Sequence, residues 1–371
     1  MNNIEKLIAE LCPQGVEFKT LGEVCNISRG RVISKEYLKE NAGDFPVYSS
    51  QTADDGVIGK IQTYDYEGEY LTWTTDGAYA GTAFYRNEKF SVTNVCGLLK
   101  LKTNTILAKF VYYVLCIVMK NYVSSGMGNP KLMSNVVEKI PIPLPPLPVQ
   151  QEIVNILDKF TALEAELEAE LEARKKQYEH YRYKLLTFNE NGHIFQTLGE
   201  VCKVLRGKRL TKSQLSNTEQ HPVFHGGLEP FGYYSQSNRK ANTVMVINVG
   251  ASAGTVGFSS IDFWSSDGCF CVGHSDLLIS KFLYYALLCQ ENVLRSQVRT
   301  AGIPTLDNSV VEKIKIPIPP LEEQNCIVAI LDKFDRLVND ISEGLPAEIK
   351  MRRQQYEYYR NKLLTFEPLK N

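Results

Sequence analysis

The sequence lacks a charge excess of either sign, because 41 Lys and Arg residues stand against 42 Asp and Glu residues. A protein that coats nucleic acid by bulk positive charge is therefore excluded, and so is an acidic disordered tail. A local basic site is compatible with this balance, because net charge averages over the whole surface. The apolar fraction of 44% is ordinary for a globular protein, and 371 residues suggest two or three domains.

Long apolar runs and secretion signals are also missing. The longest apolar stretch, around residues 110–119, is too short to span a bilayer. The first ten residues carry acidic side chains and no apolar core, which does not fit a signal peptide. These features predict a cytoplasmic protein. Its nine cysteines include no Cys-x-x-Cys pair and are expected to be reduced and mostly buried.

Motifs for catalysis or metal binding are scarce. The sequence has no nucleophile elbow, no His-Glu-x-x-His and no kinase motif set. Cys269, Cys271 and His274 do not have the spacing of a zinc site, and a strand explains the two thiols better. Residues 77–82 and 250–255, both Gly-Ala-x-Ala-Gly-Thr, lack the lysine of a phosphate loop and predict tight turns after strands. We therefore expect no catalytic residue and no metal in this chain.

What the sequence does contain is an internal repeat. Residues 128–160 align with 302–334 at a fixed offset, and 21 of the 33 positions are identical. A second match joins residues 177–188 to 355–366, where ten of 12 positions agree. Elsewhere the two copies diverge. A duplication kept for stability alone would spread the similarity evenly, so the pattern indicates two variable globules that alternate with two near-identical segments.

Each near-identical segment begins with a proline-rich strip and continues as a long amphipathic pattern. The strip predicts an extended connector into a helix, with a proline-motif ligand for a partner as the alternative. Apolar and aromatic residues then recur at steps of three and four, which is typical of a coiled-coil seam. We expect an antiparallel helix pair, a first helix roughly 55 Å long, and a kink at Pro346 in the second. The seam includes Leu157, Phe160, Tyr178, Tyr181, Leu331, Phe334, Tyr356 and Tyr359.

The two variable segments predict mixed globules of strands and helices. Both are rich in Gly, Tyr, Ser, Thr and Val and show short alternating runs. Residues 69–75 and 242–248 are predicted as strands, whereas residues 107–118 and 280–290 are predicted as short apolar helices. Each globule is therefore expected to hold a twisted sheet with a helix packed on it.

The paired proline strips, each followed by Gln, Ile-Val and Leu-Asp-Lys-Phe, and the paired Lys-Leu-Leu-Thr-Phe ends resemble the specificity subunit of type I restriction–modification enzymes. The resemblance covers nearly the whole chain. It implies an α+β fold with two mixed α/β target recognition domains in tandem repeat, at 1–148 and 191–320. Two long helices, at 149–190 and 321–371, would separate them and form an antiparallel coiled coil.

The same resemblance implies a DNA-binding role without catalysis in this chain. Each recognition domain would read one half of a bipartite double-stranded site. The coiled coil would set the spacer and dock methyltransferase subunits through the seam residues named above, and two copies of the methyltransferase are expected. Restriction subunits that act as translocase and nuclease would join the assembly. S-adenosylmethionine, ATP and magnesium would belong to those partners.

Candidate DNA contacts follow from the position and chemistry of loop residues. An Arg beside Gly recurs at the same place in both copies, at residues 29–31 and 206–208, and Arg can reach phosphates or guanine edges. The candidates in the first domain are Arg29, Arg31, Ser49, Ser50, Gln51, Thr75, Tyr79 and Lys131. Those in the second domain are Arg206, Lys208, His225, Gly226, Asn248, Ser252 and Thr305.

Two other functions are open at this point. A coiled-coil scaffold whose globules bind proteins or glycans would have the same organisation, and salt-dependent, sequence-selective DNA binding would separate the two. An enzyme that acts alone, either a methyltransferase or a nuclease, is the second alternative. It has weaker support, because Asn129-Pro130 is followed by Lys131 and not by the remainder of an Asn-Pro-Pro-Tyr motif.

Overall fold

The chain divides into two compact units that each combine one globule with parts of the long helices. A computed structural model describes residues 2–124, 128–189 and 194–370. The sequence-based boundary between residues 190 and 191 lies outside these ranges. The predicted fold class, two mixed α/β domains in tandem with two long helical segments, is confirmed. Unit 1 comprises Met1–Glu166 with Ile349–Asn371, and unit 2 comprises Leu167–Glu348.

A six-stranded sheet lies at the centre of unit 1. Its strands are β2 (Cys25–Arg29), β3 (Ala42–Tyr48), β4 (Val57–Ile61), β5 (Tyr66–Thr74), β6 (Ala83–Val92) and β7 (Cys96–Leu101). Their order is β2-β7-β5-β6-β3-β4; β3 and β6 run parallel, and the other neighbours are antiparallel. The first and last strands of the unit, β1 (Glu17–Thr20) and β8 (Pro141–Leu144), pair with each other. The predicted strand at 69–75 is confirmed as β5.

Helices cover one part of this sheet and enclose an apolar core. Trp73 on β5 is fully buried and packs against β7 at Gly97, where an added Cβ would lie 2.2 Å from the indole ring. Trp73 Nε1 also donates to the Leu132 carbonyl at 3.0 Å. The predicted helix at 107–118 is confirmed as α4. The helices that begin in unit 1 are α1 (Asn2–Leu11), α2 (Leu21–Val24), α3 (Lys35–Glu40), α4 (Ala108–Val118), α5 (Ser134–Val137) and α6 (Leu147–Leu186).

Unit 2 repeats this plan with shorter strands. Its strands are β9 (Phe195–Thr197), β10 (Val204–Arg206), β11 (His221–Phe224), β12 (Gly232–Tyr234), β13 (Thr243–Ile247), β14 (Val256–Ser259), β15 (Trp264–Ser265), β16 (Cys269–Val272) and β17 (Lys315–Pro317). The sheets have the orders β10-β16-β13-β14, β12-β11-β15 and β17-β9. The predicted strand at 242–248 is confirmed as β13, and Cys269 and Cys271 are buried on strand β16.

The helices of unit 2 confirm one prediction and correct another. They are α7 (Leu198–Val201), α8 (Ser280–Cys289), α9 (Glu291–Ser296), α10 (Asn308–Glu312), α11 (Leu321–Asn339) and α12 (Leu345–Leu364), the last of which continues into unit 1. The helix expected at 280–290 is α8. The expectation of one kinked second helix is wrong, because the chain leaves the helix at Asp340 and α12 starts anew at Leu345. Pro346 lies in the first turn of α12, where a helix does not need its N–H group.

A buried glutamine follows each repeated proline strip and makes the same hydrogen bonds in both units. Gln150 Oε1 accepts from the Leu107 N–H at the start of α4 (2.9 Å), and its Nε2 donates to the Pro145 carbonyl (2.8 Å). In unit 2, Gln324 makes the same bonds to Ile279 and to Pro319, each at 2.8 Å. A buried amide that satisfies a helix end and a proline carbonyl cannot be replaced without leaving polar groups unpaired.

The repeated Leu-Asp-Lys-Phe motif joins the short helix of each globule to a long helix. Asp158 on α6 accepts from the Tyr113 hydroxyl and from Lys109 Nζ on α4, both at 2.6 Å. In unit 2, Asp332 accepts from Tyr285 at 2.5 Å. The near-identity of the two segments therefore has a structural cause, since each carries the residues that attach the helix to its globule.

The long helices pack in pairs within each unit. In unit 1, the ring of Phe160 lies 5.6 Å from that of Tyr359, and one turn further along α6 Glu164 pairs with Arg353. The partner residue number falls as the α6 number rises, so the helices are antiparallel, as predicted. In unit 2, Tyr181 of α6 stacks on Phe334 of α11 at 5.4 Å. Across the three described ranges, no helix combines the length and apolar character that a membrane crossing requires.

Candidate nucleic-acid interface

Three strands of unit 1 end close together and bring their loops to one edge of the sheet. β2 ends at Arg29, β3 at Tyr48 and β6 at Val92, and the Thr93 N–H donates to the Tyr48 carbonyl at 2.9 Å. Gly30 approaches β6 so closely that an added Cβ would lie 1.7 Å from the Val92 carbonyl oxygen. Only glycine permits this approach. We call this region the loop edge of unit 1; it consists of residues 29–31, 49–51, 75–79 and 93–95.

Three of the predicted contact residues build this edge. The Ser50 hydroxyl accepts from the Thr75 N–H at 2.9 Å and donates to the Val95 carbonyl. Thr75 Oγ1 donates to the same carbonyl at 2.7 Å, and Thr93 Oγ1 donates to Ser49 Oγ at 2.9 Å. Thr75 is buried. These hydroxyl groups therefore connect the loops to one another, and their polar atoms already have partners inside the protein.

The two arginines of the Arg-Gly-Arg segment differ in their surroundings. Arg31 is exposed and donates from Nε to Asp65 at 3.0 Å. Hydrogen bonds with Tyr37 and with Asp65 raise the pKa of Arg31 above its usual value, which secures its positive charge. Arg29 is half-buried, and its Nε donates to Ser134 Oγ at 3.3 Å. Arg31 is the better placed of the two to meet a phosphate, since its side chain is 41% exposed.

The segment around Lys131 joins the same edge through backbone bonds. The Gly77 N–H donates to the Pro130 carbonyl at 3.0 Å, and the Leu132 N–H donates to the Thr75 carbonyl at 2.8 Å. The predicted turn at 77–82 is confirmed, and Gly77 has a φ of +92°. Lys131 is exposed, as is Tyr79 at the tip of the turn. Both side chains are therefore free to reach a ligand.

The Gln51 side chain, unlike those of Tyr79 and Lys131, is bonded within its own loop. Its Nε2 donates to the Val57 carbonyl at 2.7 Å, so the side-chain amide closes the loop that follows β3. The Gln51 N–H donates to the Ser49 carbonyl at 2.9 Å. Gln51 is partly exposed, and its role in the described structure is to shape the loop.

Backbone hydrogen bonds of the same kind form a loop edge in unit 2, and we call these shared bonds the backbone frame. The Ser266 N–H donates to the Phe224 carbonyl at 3.0 Å, which is the counterpart of the bond between Thr93 and Tyr48. An added Cβ at Gly207 would lie 2.0 Å from the Ser266 carbonyl oxygen. The loop edge of unit 2 consists of residues 206–208, 225–227, 248–252 and 266–268.

The remaining frame bonds are repeated as well. The Gly250 N–H donates to the Pro304 carbonyl and the Leu306 N–H donates to the Asn248 carbonyl, both at 2.9 Å. These bonds correspond to those that hold Lys131 at the edge of unit 1, and they place Thr305 in the equivalent position. The predicted turn at 250–255 is confirmed, with a φ of +86° at Gly250. The two units thus share one backbone frame and present different side chains on it.

The predicted contacts of unit 2 form two groups. Arg206 and Lys208 are exposed, and Ser252 lies partly exposed in the turn. His225 Nδ1 lies 3.3 Å from Asp267, and the following Gly226 has a φ of +67° that favours glycine. Together these residues offer cationic, hydroxyl and imidazole groups along one edge.

A cleft beside this edge brings three predicted residues together. Arg206, Asn248 and Thr305 line a cleft of about 360 Å³. Asn248 is buried, and no residue in the described ranges donates a hydrogen bond to its Oδ1 atom. A buried acceptor without a donor costs stability, so Asn248 is an exception to the rule that buried polar groups are paired.

Sequence reasoning missed the residues that contact the predicted site residues. Asp65 and Asp267 pair with Arg31 and His225, and Arg239 donates from Nη2 to the Arg206 carbonyl at 2.9 Å. The sequence offered little signal for them, since they lie in the diverged segments. In the part of the chain that the structure describes, no group of three or more His, Cys, Asp or Glu side chains is arranged to hold a metal ion.

The seam residues predicted to bind partners have unequal exposure. Leu157 and Leu331 are fully buried within their units, and Tyr178 is 5% exposed. They hold the helices to the globules and to each other, which leaves no surface for a partner. The other seam residues also pack between the helices, but each of them keeps part of its surface exposed: Phe160, Tyr181, Phe334, Tyr356 and Tyr359.

The tandem α/β units, each with a loop edge on the same frame, define a protein with two recognition modules. The family model for the type I restriction modification DNA specificity domain matches residues 13–173 and again residues 194–351. The chain belongs to this family and carries the domain twice.

Relatives and solved structures extend this likeness over nearly the whole chain. A protein of Mycoplasma pneumoniae named as a type I specificity subunit is 32% identical over 350 residues, which cover 92% of this chain and 95% of that protein. One of Haemophilus influenzae, named as a type I restriction enzyme specificity subunit, is 34% identical over 387 residues and covers 95% and 96%.

The crystal structure of the S subunit of a type I restriction-modification system from M. genitalium has a TM-score of 0.67 at 17% identity. It covers 94% of this chain and 96% of that chain. A structure from work on the assembly and conformational transition of the type I R-M system has a TM-score of 0.59 at 19% identity and covers 95% and 98%. These two structures establish the fold.

Proposed function

We propose that this chain selects the DNA target of a type I restriction–modification complex, with each loop edge reading one half of a bipartite site. The observation that carries the proposal is the pair of loop edges. Three backbone hydrogen bonds of one edge have direct counterparts in the other, whereas Tyr79 and Lys131 in unit 1 are replaced by Ser252 and Thr305 in unit 2. A fixed frame with interchangeable side chains is suited to reading two different sequences.

The exposed cations of the loop edges are suited to the DNA backbone and to guanine. Arg31, Lys131, Arg206 and Lys208 are exposed, and such side chains donate to phosphate oxygens or to the major-groove edge of guanine. Because the formal net charge is −1, binding rests on these local groups and on partner subunits. The affinity for DNA is therefore expected to fall as the salt concentration rises, with a slope set by the number of phosphates that these few cations contact.

The long helices serve assembly and spacing in this proposal. Methyltransferase subunits, expected in two copies, dock on the exposed faces of α6, α11 and α12, and restriction subunits join them on the DNA. The length of the helix pair sets the spacer between the half-sites. The complex acts in the cytoplasm.

The chain itself contributes recognition and no catalytic group. S-adenosylmethionine, ATP and magnesium are bound by the partner subunits. One observation supports this division: in the turn at 77–82, the Gly81 N–H donates to the Thr74 carbonyl at 2.9 Å and the Thr82 N–H to the Tyr79 carbonyl at 3.2 Å. These amides are not free to cradle a phosphate.

The test is a gel-shift titration of the chain together with its methyltransferase subunit. The target is first identified by sequencing the methylated sites, and three duplexes are then compared: the intact site, one with the first half-site scrambled and one with the second scrambled. We expect the intact duplex to bind at least ten-fold more tightly than either scrambled duplex, with a salt-dependent affinity. Equal binding of all three duplexes would refute the proposal.

The scaffold alternative predicts a different result in the same experiment. A coiled-coil scaffold that binds proteins or glycans would show neither half-site preference nor a salt slope. Membership of the DNA specificity family favours recognition of DNA over this alternative. Methylation by the purified single chain would contradict the non-catalytic assignment.

A further inference from the structure

A buried arginine lies directly beneath the loop that follows β3. The Arg86 side chain on β6 is 2% exposed, and its Nη1 pairs with the carboxylate of Asp55. Its Nη2 donates to the Asp55 carbonyl at 2.6 Å. The guanidinium also lies 3.6 Å from the ring centroid of Tyr48, the last residue of β3. One side chain therefore holds both the start and the end of the loop at 49–56.

This loop has an unusual backbone. Asp54, Asp55 and Gly56 all have positive φ, at 47°, 54° and 88°. Two consecutive non-glycine residues in the left-handed region are strained and persist only where the surroundings hold them. The Arg86 bonds to the side chain and backbone of Asp55 provide that restraint, because they are charge-assisted and Arg86 itself is fixed by burial.

The restrained loop carries three of the residues that form the loop edge of unit 1. The Ser49 N–H donates to the Gly56 carbonyl at 3.0 Å, so the two ends of the loop are joined. An added Cβ at Gly56 would lie 3.2 Å from the Gln51 carbonyl and 3.5 Å from Arg86 Nη2. The guanidinium is thus in contact with the segment that sets the positions of Ser49, Ser50 and Gln51.

We propose that Arg86 is a positioning residue for DNA recognition: through its bonds to Asp55 it holds loop 49–56 in the conformation in which unit 1 reads its half-site. This inference rests on the proposed function. Arg86 does not reach DNA itself, since its side chain is buried. The carboxylate of Asp55, which is 69% exposed, is neutralised where phosphates would otherwise be repelled.

Among the described residues of unit 2, no arginine is seen to hold the corresponding loop in this way, and Arg239 donates instead to the carbonyls of Asn238 and Arg206. There β11 ends at Phe224 and is followed by His225, Gly226 and Gly227. Glycine adopts a positive φ, here +67° at Gly226, without strain. The contribution of Arg86 is therefore specific to the half-site read by unit 1, and unit 2 serves as an internal control in every measurement.

The experiment compares Arg86→Met, Arg86→Lys and Asp55→Asn with the wild-type chain in complex with the methyltransferase. Each is titrated with the intact duplex and with the two scrambled duplexes described above, at several salt concentrations. Arg86→Met keeps the apolar length of the side chain, and Arg86→Lys keeps the charge but not the two-point contact. Asp55→Asn removes an exposed charge and keeps a residue that tolerates the left-handed region.

We expect Arg86→Met to lose about 10- to 100-fold of the discrimination at the first half-site and none at the second. Arg86→Lys should lose less, which gives partial rescue by the conservative change. The salt slope should stay at the wild-type value, whereas loss of a direct phosphate contact would lower it by about one.

Three results would overturn the inference: unchanged discrimination at the first half-site, an equal loss at both half-sites, or a lower salt slope. If Arg86→Met does not fold, the result for Asp55→Asn decides, because the substituted side chain is exposed and asparagine adopts the left-handed region as readily as aspartate does. A selective loss at the first half-site supports the inference, and wild-type behaviour refutes it. Failure of the proposed function is distinguishable, since the wild-type complex would then discriminate at neither half-site.

Discussion

The close approach of Gly30 to β6 permits a sharp test of the loop edges. Substitution by alanine would place a Cβ 1.7 Å from the Val92 carbonyl oxygen and 2.3 Å from its carbon, both of them backbone atoms. Real Cβ atoms do not come within 3.0 Å of such neighbours, so β6 and the Arg-Gly-Arg segment must separate by at least about 1.3 Å. In unit 2, Gly207→Ala meets the Ser266 carbonyl oxygen at 2.0 Å and requires a similar shift.

The glycine-to-alanine substitution is expected to lower both the stability of the fold and the affinity for DNA. Overpacking in a well-packed region destabilises by about 1–3 kcal/mol. Displacing a base-reading loop is comparable to a mismatched base pair, which costs about 1–3 kcal/mol of binding free energy and corresponds to roughly 5- to 150-fold in affinity. We therefore expect Gly30→Ala to lose most discrimination at the first half-site, and Gly207→Ala to lose it at the second.

The assay is fluorescence anisotropy with the intact and half-scrambled duplexes, together with urea unfolding of each variant. Gly128→Ala is the matched control, because no atom of the described residues lies within 4 Å of the added Cβ. It should bind as the wild type does. The reasoning is wrong if Gly30→Ala keeps full discrimination at the first half-site, or if a folded Gly30→Ala loses both half-sites equally.

Three further predictions concern the helices and the core. Leu157→Ala should lower the free energy of unfolding by about 2–5 kcal/mol in urea titrations, whereas exposed Met351→Ala should change it by less than about 0.5; equal effects would contradict the packing described here. Burial raises the pKa of Tyr284 to about 12 and that of Tyr285 above its usual range. Because the pKa of these tyrosines in the folded protein exceeds the unfolded value near 10, the protonated hydroxyls stabilise the folded state below about pH 10, and this stabilisation is lost as the pH rises further. The urea midpoint should therefore fall between about pH 10 and 12. A urea midpoint that does not change over this range would contradict the prediction. Insertion of four helical residues after Leu167 adds about 6 Å, or roughly two base pairs, and sequencing of methylated sites should show a longer spacer with unchanged half-sites.

The organisation of the chain could be predicted from the sequence because its signals are local and repeated. The three-and-four spacing identified α6, because the period of apolar residues follows from helix geometry, and short runs rich in Thr, Val and aromatic residues located β5 and β13. The duplicated Arg-Gly segment located both loop edges, because glycine is required wherever one backbone passes this close to another.

The roles of individual side chains could not be predicted in the same way. Thr75 and Leu157 were chosen for their type and position, yet the first is bonded inside the edge and the second is fully buried. Both outcomes depend on contacts between segments far apart in sequence. The break between Asp340 and Leu345 was missed for a related reason: a regular apolar spacing continues across it, and only the local hydrogen bonds of the turn end the helix.

By itself, then, the sequence determined the duplication, the helical and strand segments and the family, all of which rest on short-range pattern and identity. Only the tertiary structure decided which polar groups are free to meet DNA. It paired Arg31 with Asp65, buried Asn248, and placed Arg86 beneath a loop more than 30 residues away. The physical reason is that hydrogen bonds and ion pairs form between whatever groups the fold brings together, and sequence separation does not limit them.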